Sequence, residues 1–279
     1  MRIHNAECAP VPDLPADSYQ EPRRSPGAAT DHFAQAEPSV TMNLPGPGPS
    51  PAGLALVIGG QGGIGAALAE ALRRQGGYAQ VWALGWSSRP AVDLQQEASP
   101  AGLARALGAS GLPLRLVINA AGFLHGRGWA PEKSWRELEP EHLAHAFAVN
   151  AIGPALLMKH CLPLLPRQGR SVLACLSARV GSIGDNRLGG WYGYRASKAA
   201  LNQLVHTSAI ELRRRQPGAI CVALHPGTVA TGLSAPFARS GRALQSPEQA
   251  AQALLAVIDG LQAEHSGGFY DHHGLPVPW

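Results

Sequence analysis

Leu54-Ala55-Leu56-Val57-Ile58-Gly59-Gly60-Gln61-Gly62-Gly63-Ile64-Gly65 is the stretch on which the reading of this 279-residue chain turns. Its first five residues form an apolar run of strand length, and apolar residues recur at helical spacing through Ile64–Gln75. Between them, glycines let the backbone turn sharply and approach a pyrophosphate, whose charge the amide N–H groups at the helix start would hold. The cluster fits two spacings: GxxxGxG through Gly59, Gly63 and Gly65, and GxGxxG through Gly60, Gly62 and Gly65. A plain flexible turn would also use glycines, so the choice rests on the rest of the chain.

Downstream the alternation continues. Ala79–Leu84, Arg115–Asn119, Ser171–Leu176 and Ala219–Leu224 read as strands. Helices are expected over Ser99–Leu107, opened by a serine cap and a proline, and over Glu141–Leu165, Tyr194–Arg215 and Ser246–Asp259. This order predicts an α/β fold: a doubly wound parallel sheet in three layers, with ligands at the carboxyl ends of the strands. Ahead of it, residues 1–52 hold ten of the 24 prolines and little apolar periodicity. They are expected to form a disordered, proline-rich extension, because they cannot bury enough surface to offset their ordering entropy. Met42 stands just before the folded part as an alternative start, and residues 53–279 read as one domain.

Composition narrows the class. Hydrophobic residues at 45% with 15% charged are ordinary for a globular chain. No apolar run is expected to reach bilayer length, and no basic start leads into an apolar leader, so a cytoplasmic protein without a membrane partner is expected. Cys8, Cys161, Cys175 and Cys221 form no CxxC pair, and the last three lie in apolar segments, as reduced buried thiols do. Residues 53–279 carry 20 basic and 13 acidic side chains, but the basic ones are scattered apart from Arg213, Arg214 and Arg215 at a helix end. A binder of phosphorylated small molecules accounts for that balance without nucleic acid. The eleven histidines show no metal-ligand spacing such as HExxH, so no metal is expected.

Three further motifs bear on the choice of glycine spacing. Asn119-Ala120-Ala121-Gly122 follows the strand Arg115–Asn119, Tyr194-Arg195-Ala196-Ser197-Lys198 opens a helix, and Pro226-Gly227-Thr228-Val229-Ala230-Thr231 follows a later strand. Residues four apart share a helix face, so Tyr194 and Lys198 can enter one site, whereas Tyr192 meets Ala196 at that spacing. A free phenol titrates near ~10, and an adjacent ammonium and an oxidised nicotinamide would both lower that value toward useful proton exchange. Asn150 lies mid-helix four residues before Pro154, which cannot donate to its carbonyl and should kink the helix there. A buried asparagine with local hydrogen bonds is the plainer reading of the same residue.

Together these resemble the NNAG, YxxSK and PGxxxT motifs of the short-chain dehydrogenase/reductase superfamily, in the family's order, over about Leu54 to Trp279. Segments 181–186 and 189–198, with the ending Val277-Pro278-Trp279, further resemble C-factor-like and sniffer-type carbonyl reductases. The resemblance implies a Rossmann-type domain binding NADP(H) and transferring hydride between it and a small-molecule carbonyl or alcohol, with a homo-oligomer compatible because family dimers form through helix faces. It gives Gly59, Gly63 and Gly65, with Ile64 and Gly122, to the cofactor's diphosphate side. Asn119 would take the adjoining ribose, Asp93 the adenine, and Pro226, Gly227, Val229 and Thr231 the nicotinamide. Tyr194 would protonate the carbonyl, Lys198 would also reach the nicotinamide ribose, and Asn150 would hold a relay water through its carbonyl. The family's Ser-Ser pair departs here: aligned on Gly181, Ala178 falls where the second serine belongs, so Ser177 or Ser182 would supply the hydroxyl, or neither.

For the choice of cofactor, Gly85-Trp86-Ser87-Ser88-Arg89 offers no acid for a ribose 2′-hydroxyl, while Arg89 and the hydroxyls suit a 2′-phosphate. Residues 232–245, with Leu233, Phe237, Arg239 and Arg242, are expected to cover the substrate. A cofactor-binding signalling or redox-sensing protein with little turnover is the alternative reading, which the missing second serine leaves open.

Overall fold

The computed structural model describes residues 53–237 and 244–279. Residues 1–52, including Cys8, and Arg239 and Arg242 of the expected cover lie outside the described residues. Six parallel strands form one sheet in the order β2-β1-β3-β4-β5-β6. They are β1 (Leu54–Ile58), β2 (Gln80–Leu84), β3 (Leu114–Asn119), β4 (Ser171–Leu176), β5 (Ala219–His225) and β6 (Phe269–Asp271). The helices between them are α1 (Gly63–Gln75), α2 (Ala98–Ala109), α3 (Pro140–Phe147), α4 (Gly153–Cys161), α5 (Tyr192–Arg215) and α6 (Pro247–Gly260).

Successive side chains of a strand point to opposite faces, and β1 puts that rule to use. Leu54, Leu56 and Ile58 pack with α2, α4 and α5 on one side of the sheet. Ala55 and Val57 pack with α1 and α6 on the other. Both faces being covered, β1, β4 after its buried first residue Ser171, and nearly all of β5 are apolar and buried, and the molecule has the three layers expected. Cys161, Cys175 and Cys221 are buried free thiols within the first of these cores, pushed up by burial to about 12 for Cys161 and Cys175.

Several local expectations need correction. Ser99 does not cap α2: its Oγ accepts from the Asp93 amide at 2.9 Å, and the helix starts after Glu97 without a side-chain cap. The run expected as one helix over Glu141–Leu165 begins at Pro140 and is broken by a π turn at Ala148–Ile152, before α4 and a 3₁₀ turn at Leu162–Leu164. That break is the form the Pro154 defect takes. Pro140–Leu164 is also, by length and composition, apolar enough to cross a membrane, contrary to expectation. Its apolar residues Leu157, Met158 and Cys161 belong to the core beneath the sheet, as those of a core helix do. Finally, α5 starts at Tyr192, two residues before the expected Tyr194, because Trp191 sits ahead of it in the left-handed region at φ 54°.

Candidate active site

The strand order reverses between β1 and β3, and at such a switch point the loops beyond the strands diverge and leave a crevice. A cleft of about 510 Å³ opens there, lined among others by Gly59, Gln61, Gly85, Trp86, Asp93 and Gly122. Gly59 has φ +79°, and a Cβ on it would stand 2.8 Å from the Ala121 nitrogen, so only glycine fits between the β1 and β3 loops. A methyl at Gly65 would overlap the Gly59 carbonyl oxygen, and one at Gly63 would reach 2.9 Å from Thr231 Cγ2. All three glycines of the GxxxGxG reading stand at close approaches, with Ile64 half-buried between two of them, but so does Gly60, where a Cβ would meet Ala83 Cβ at 2.8 Å; of the rival spacing only Gly62, at 3.3 Å from the Gly59 oxygen, has more room. Helix α1 begins without a side-chain cap and without an acid in its first turn, so its amide N–H groups have no built-in anion competing for them. These features fit a dinucleotide's pyrophosphate.

At the adenine end, Asp93 lines the cleft, but its carboxylate is engaged in a turn, accepting from the Gln95 amide at 2.9 Å and Gln96 Nε2 at 3.1 Å. Ser88 is likewise spent on its own loop, bonding the Gly85 amide and carbonyl. Ser87 and Trp86 line the cleft, the indole 83% exposed, whereas Arg89 is exposed outside the lining. Across the cleft, Asn119 is buried and accepts from the Ala121 amide through Oδ1 at 3.2 Å. Val229 is buried, Gly227 takes φ +79°, and Thr231 meets the glycine loop at Gly63. Pro226 joins this segment to the end of β5.

Tyr194 and Lys198 do share one face of α5: Lys198 Nζ lies 5.9 Å from the centre of the Tyr194 ring. Lys198 is 3% exposed, and its Nζ donates to the Leu176 carbonyl at 2.8 Å. A Cβ at Gly122 would sit 3.7 Å from Nζ and 3.6 Å from Asn150 Oδ1, so these three residues converge at the β3 end of the cleft. Burial lowers Lys198 to about 8. Burial raises Tyr194 to about 12, and Lys198 contributes no lowering to it. The reason is geometric: Nζ is held beside the ring and committed to a carbonyl, while the phenol is desolvated.

The two candidate serines are in different settings. Ser177, directly after β4, donates from Oγ to Asn202 Oδ1 at 2.6 Å. Ser182 is buried and its Oγ accepts from the Asp185 amide at 3.0 Å, fixing the following loop. Ala178, between them, is 9% exposed. The Asn150 side chain accepts from the Phe123 amide and donates to the Phe123 carbonyl, both at 2.8 Å, and donates to Ser197 Oγ at 3.0 Å. Ser197 in turn donates to the Tyr194 carbonyl at 3.0 Å.

Sequence reading singled out neither Asn202 nor the buried Glu132 at the start of α5. Asn202 carried one local clue, standing one helical turn beyond Lys198. Glu132 had none, since its partner on α5 is 61 residues away.

A parallel sheet of this order, with a glycine cradle at the switch point and a tyrosine–lysine pair one turn apart, defines a dinucleotide-fold oxidoreductase. The family model described as enoyl-(acyl carrier protein) reductase matches residues 58–254, and the chain belongs to the short-chain dehydrogenase/reductase family. It is 41% identical to the C-signal of Myxococcus xanthus over 167 residues, 60% of this chain and 93% of that one. It is 33% identical over 233 residues to 1-hydroxy-2-glutathionyl-2-methyl-3-butene dehydrogenase of Rhodococcus sp. (strain AD45), covering 80% of this chain and 98% of that enzyme. Among solved structures, the carbonyl reductase Sniffer of D. melanogaster shares the fold with a TM-score of 0.67 at 22% identity, over 82% of this chain and 100% of that one. A carbonyl reductase from Pseudomonas aeruginosa PAO1 gives a TM-score of 0.66 at 27% identity, over 81% of this chain and 100% of the other.

Proposed function

We propose that this protein is an NADP(H)-dependent carbonyl reductase acting on a small-molecule aldehyde, ketone or quinone. The observation that carries the reading is the Tyr194–Lys198 pair, one turn apart on α5 beside the glycine-lined cleft. A nicotinamide cofactor held in this cleft would supply the hydride that the substrate carbonyl carbon takes up. Tyr194, raised to about 12, keeps its proton at neutral pH and donates it from the phenol to the carbonyl oxygen. Lys198, at about 8, keeps its charge at pH 7 and reaches the nicotinamide ribose.

The remaining roles follow the cleft. Gly59, Gly63, Ile64 and Gly65 hold the pyrophosphate, Asn119 and Gly122 border the ribose, and Asp93 takes the adenine. Pro226, Gly227, Val229 and Thr231 cover the nicotinamide, and the carbonyl of Asn150 holds a relay water, Pro154 being unable to donate to it. Ser177 orients the substrate oxygen by turning its hydroxyl away from Asn202, with Ser182 the alternative. NADP(H) is preferred because residues 85–89 contain no acid, and Arg89 stands close enough in sequence to swing onto a 2′-phosphate. The carbonyl reductase likeness at 27% identity supports the activity.

A turnover screen of aldehydes, ketones and quinones with NADPH, followed by cofactor absorbance, tests the reading. Turnover by the intact chain, lost in Tyr194→Phe, is expected. Tight NADPH binding with no turnover of any class would replace it with a second reading, a cofactor-binding signalling or redox-sensing protein. Ala178 in the second-serine position and the 41% identity to a protein called C-signal favour that alternative.

A further inference from the structure

Helix α5 has to be anchored at its first turn, because Tyr194 is only its third residue. A helix start leaves amide N–H groups without intrahelical partners, and normally the preceding side chain takes one. Here the residue at that position is Trp191, in the left-handed region, with no side-chain cap. The acceptor comes instead from Glu132, far back in the chain. Its Oε2 accepts from the Gly193 amide at 3.1 Å, and its main-chain carbonyl accepts from the Trp191 amide at 2.5 Å. Glu132 is 2% exposed, and burying a polar group costs free energy unless it is hydrogen-bonded. Its Oε2 is satisfied by the Gly193 amide at the positive end of the α5 dipole, while Oε1 has no hydrogen-bond partner among the described residues, His142 Nδ1 standing 3.3 Å from it.

The fit at this contact is tight. A Cβ on Gly193 would stand 2.9 Å from Glu132 Oε1 and 3.3 Å from Leu143 Cδ2, so the carboxylate occupies the space a side chain would need. His142 is itself fixed, stacked on Trp129 with ring centres 5.3 Å apart and met edge-on by Phe123 at 6.0 Å. Phe123 is the residue whose backbone Asn150 clamps, and Asn150 reaches the Tyr194 carbonyl through Ser197. The first turn of α5 is thus held from both ends, by Glu132 on its N–H side and by Asn150 and Ser197 on its carbonyl side.

We infer that Glu132, steadied by His142, is a positioning residue that sets the place of Tyr194 for proton transfer. The inference rests on the reductase reading for its effect on rate, but its physical claim concerns the α5 start and is testable without turnover. Glu132→Ala should speed amide hydrogen exchange in the peptide covering residues 191–198 by at least about tenfold, with the sheet peptides unchanged. Its kcat should fall about ten- to a hundred-fold, since misplacing a reacting group by about an ångström costs that much, while NADPH affinity stays within about twofold. The solvent deuterium isotope effect on kcat should rise, a sign of slowed proton transfer that a general loss of stability would not give. Glu132→Gln, whose amide oxygen can still accept from Gly193, should recover exchange and kcat to within about threefold.

Unchanged exchange in residues 191–198 of Glu132→Ala would overturn the inference, as would faster exchange with kcat and isotope effect unmoved. Should Glu132→Ala not fold, His142→Phe keeps an aromatic ring for the stacking but removes the ring nitrogen that stands 3.3 Å from the carboxylate. It should speed exchange in the same peptide, and failure to do so would likewise overturn the inference. A wild-type protein that turns over no carbonyl would sink the reductase reading alone, with the exchange result still deciding on Glu132.

Discussion

Lys198 stands with its ammonium 5.9 Å from the centre of the Tyr194 ring and gives a hydrogen bond to the Leu176 carbonyl at 2.8 Å. Both residues are carried by α5, and the lysine head group is in addition tied to the end of β4. Removing the phenol oxygen should leave that scaffold standing. Tyr194→Phe is expected to lower kcat by at least about a thousandfold, with NADPH affinity, read by fluorescence titration, within about twofold of wild type. Lys198→Ala should weaken both.

The pH dependence should follow Lys198. Burial lowers it to about 8, so it is charged below that pH and neutral above it. Tyr194, raised to about 12, stays protonated throughout the same range. A profile of kcat/KM against pH should therefore fall as pH rises through about 8, with no matching step from the phenol. A profile flat to pH 10 would detach Lys198 from the rate.

Acid should destabilise the fold through His225. Burial first, then the neighbouring His272 and Arg179, lower it to about 4. The unfolded chain binds this proton near ~6.5, so between the two values unfolding takes up a proton and stability falls as pH falls. Urea unfolding should show a loss of about 2–3 kcal/mol from this group between pH 6.5 and pH 4. His225→Gln should flatten that limb.

Serine choice is open to direct test. If Ser177 turns its hydroxyl from Asn202 to the substrate, Ser177→Ala should lower kcat about ten- to a thousand-fold with cofactor affinity unchanged. Ser182→Ala should be mild, because that oxygen fixes the loop at Asp185. Full activity in both variants would leave Tyr194 to orient the carbonyl alone.

Cofactor choice should follow Arg89. NADPH is expected to bind at least about ten times tighter than NADH, and Arg89→Ala should weaken NADPH while sparing NADH. Equal affinities in the wild type would sink the preference.

What the sequence made legible was whatever has a local signal. Apolar runs located β1 to β5, and the proline four residues after Asn150 foretold the break now seen as the π turn. Tyr194 and Lys198 were readable because helical spacing alone brings them together. The misses have physical causes. Strand β6 spans only Phe269–Asp271, too short for any period to show. The true start of α5 was hidden because its cap is a left-handed tryptophan and a carboxylate 61 residues away, not a preceding serine or aspartate. The direction of the Tyr194 shift depends on how deeply the phenol is enclosed, which spacing does not report.

Gly59 carries a consequence for how the protein comes into being. Its backbone is seated against Ala120 and Ala121, which follow β3, while β1 itself pairs with both β2 and β3. The glycine loop therefore has no fixed shape until a segment some sixty residues later has been synthesised and inserted beside it. Closing such long loops before any contact rewards them is slow, and parallel sheets as a class carry this delay. On the ribosome, the glycine loop would reach its final seat only after the chain beyond Ala121 had emerged, while β4, β5 and β6 were still to be made.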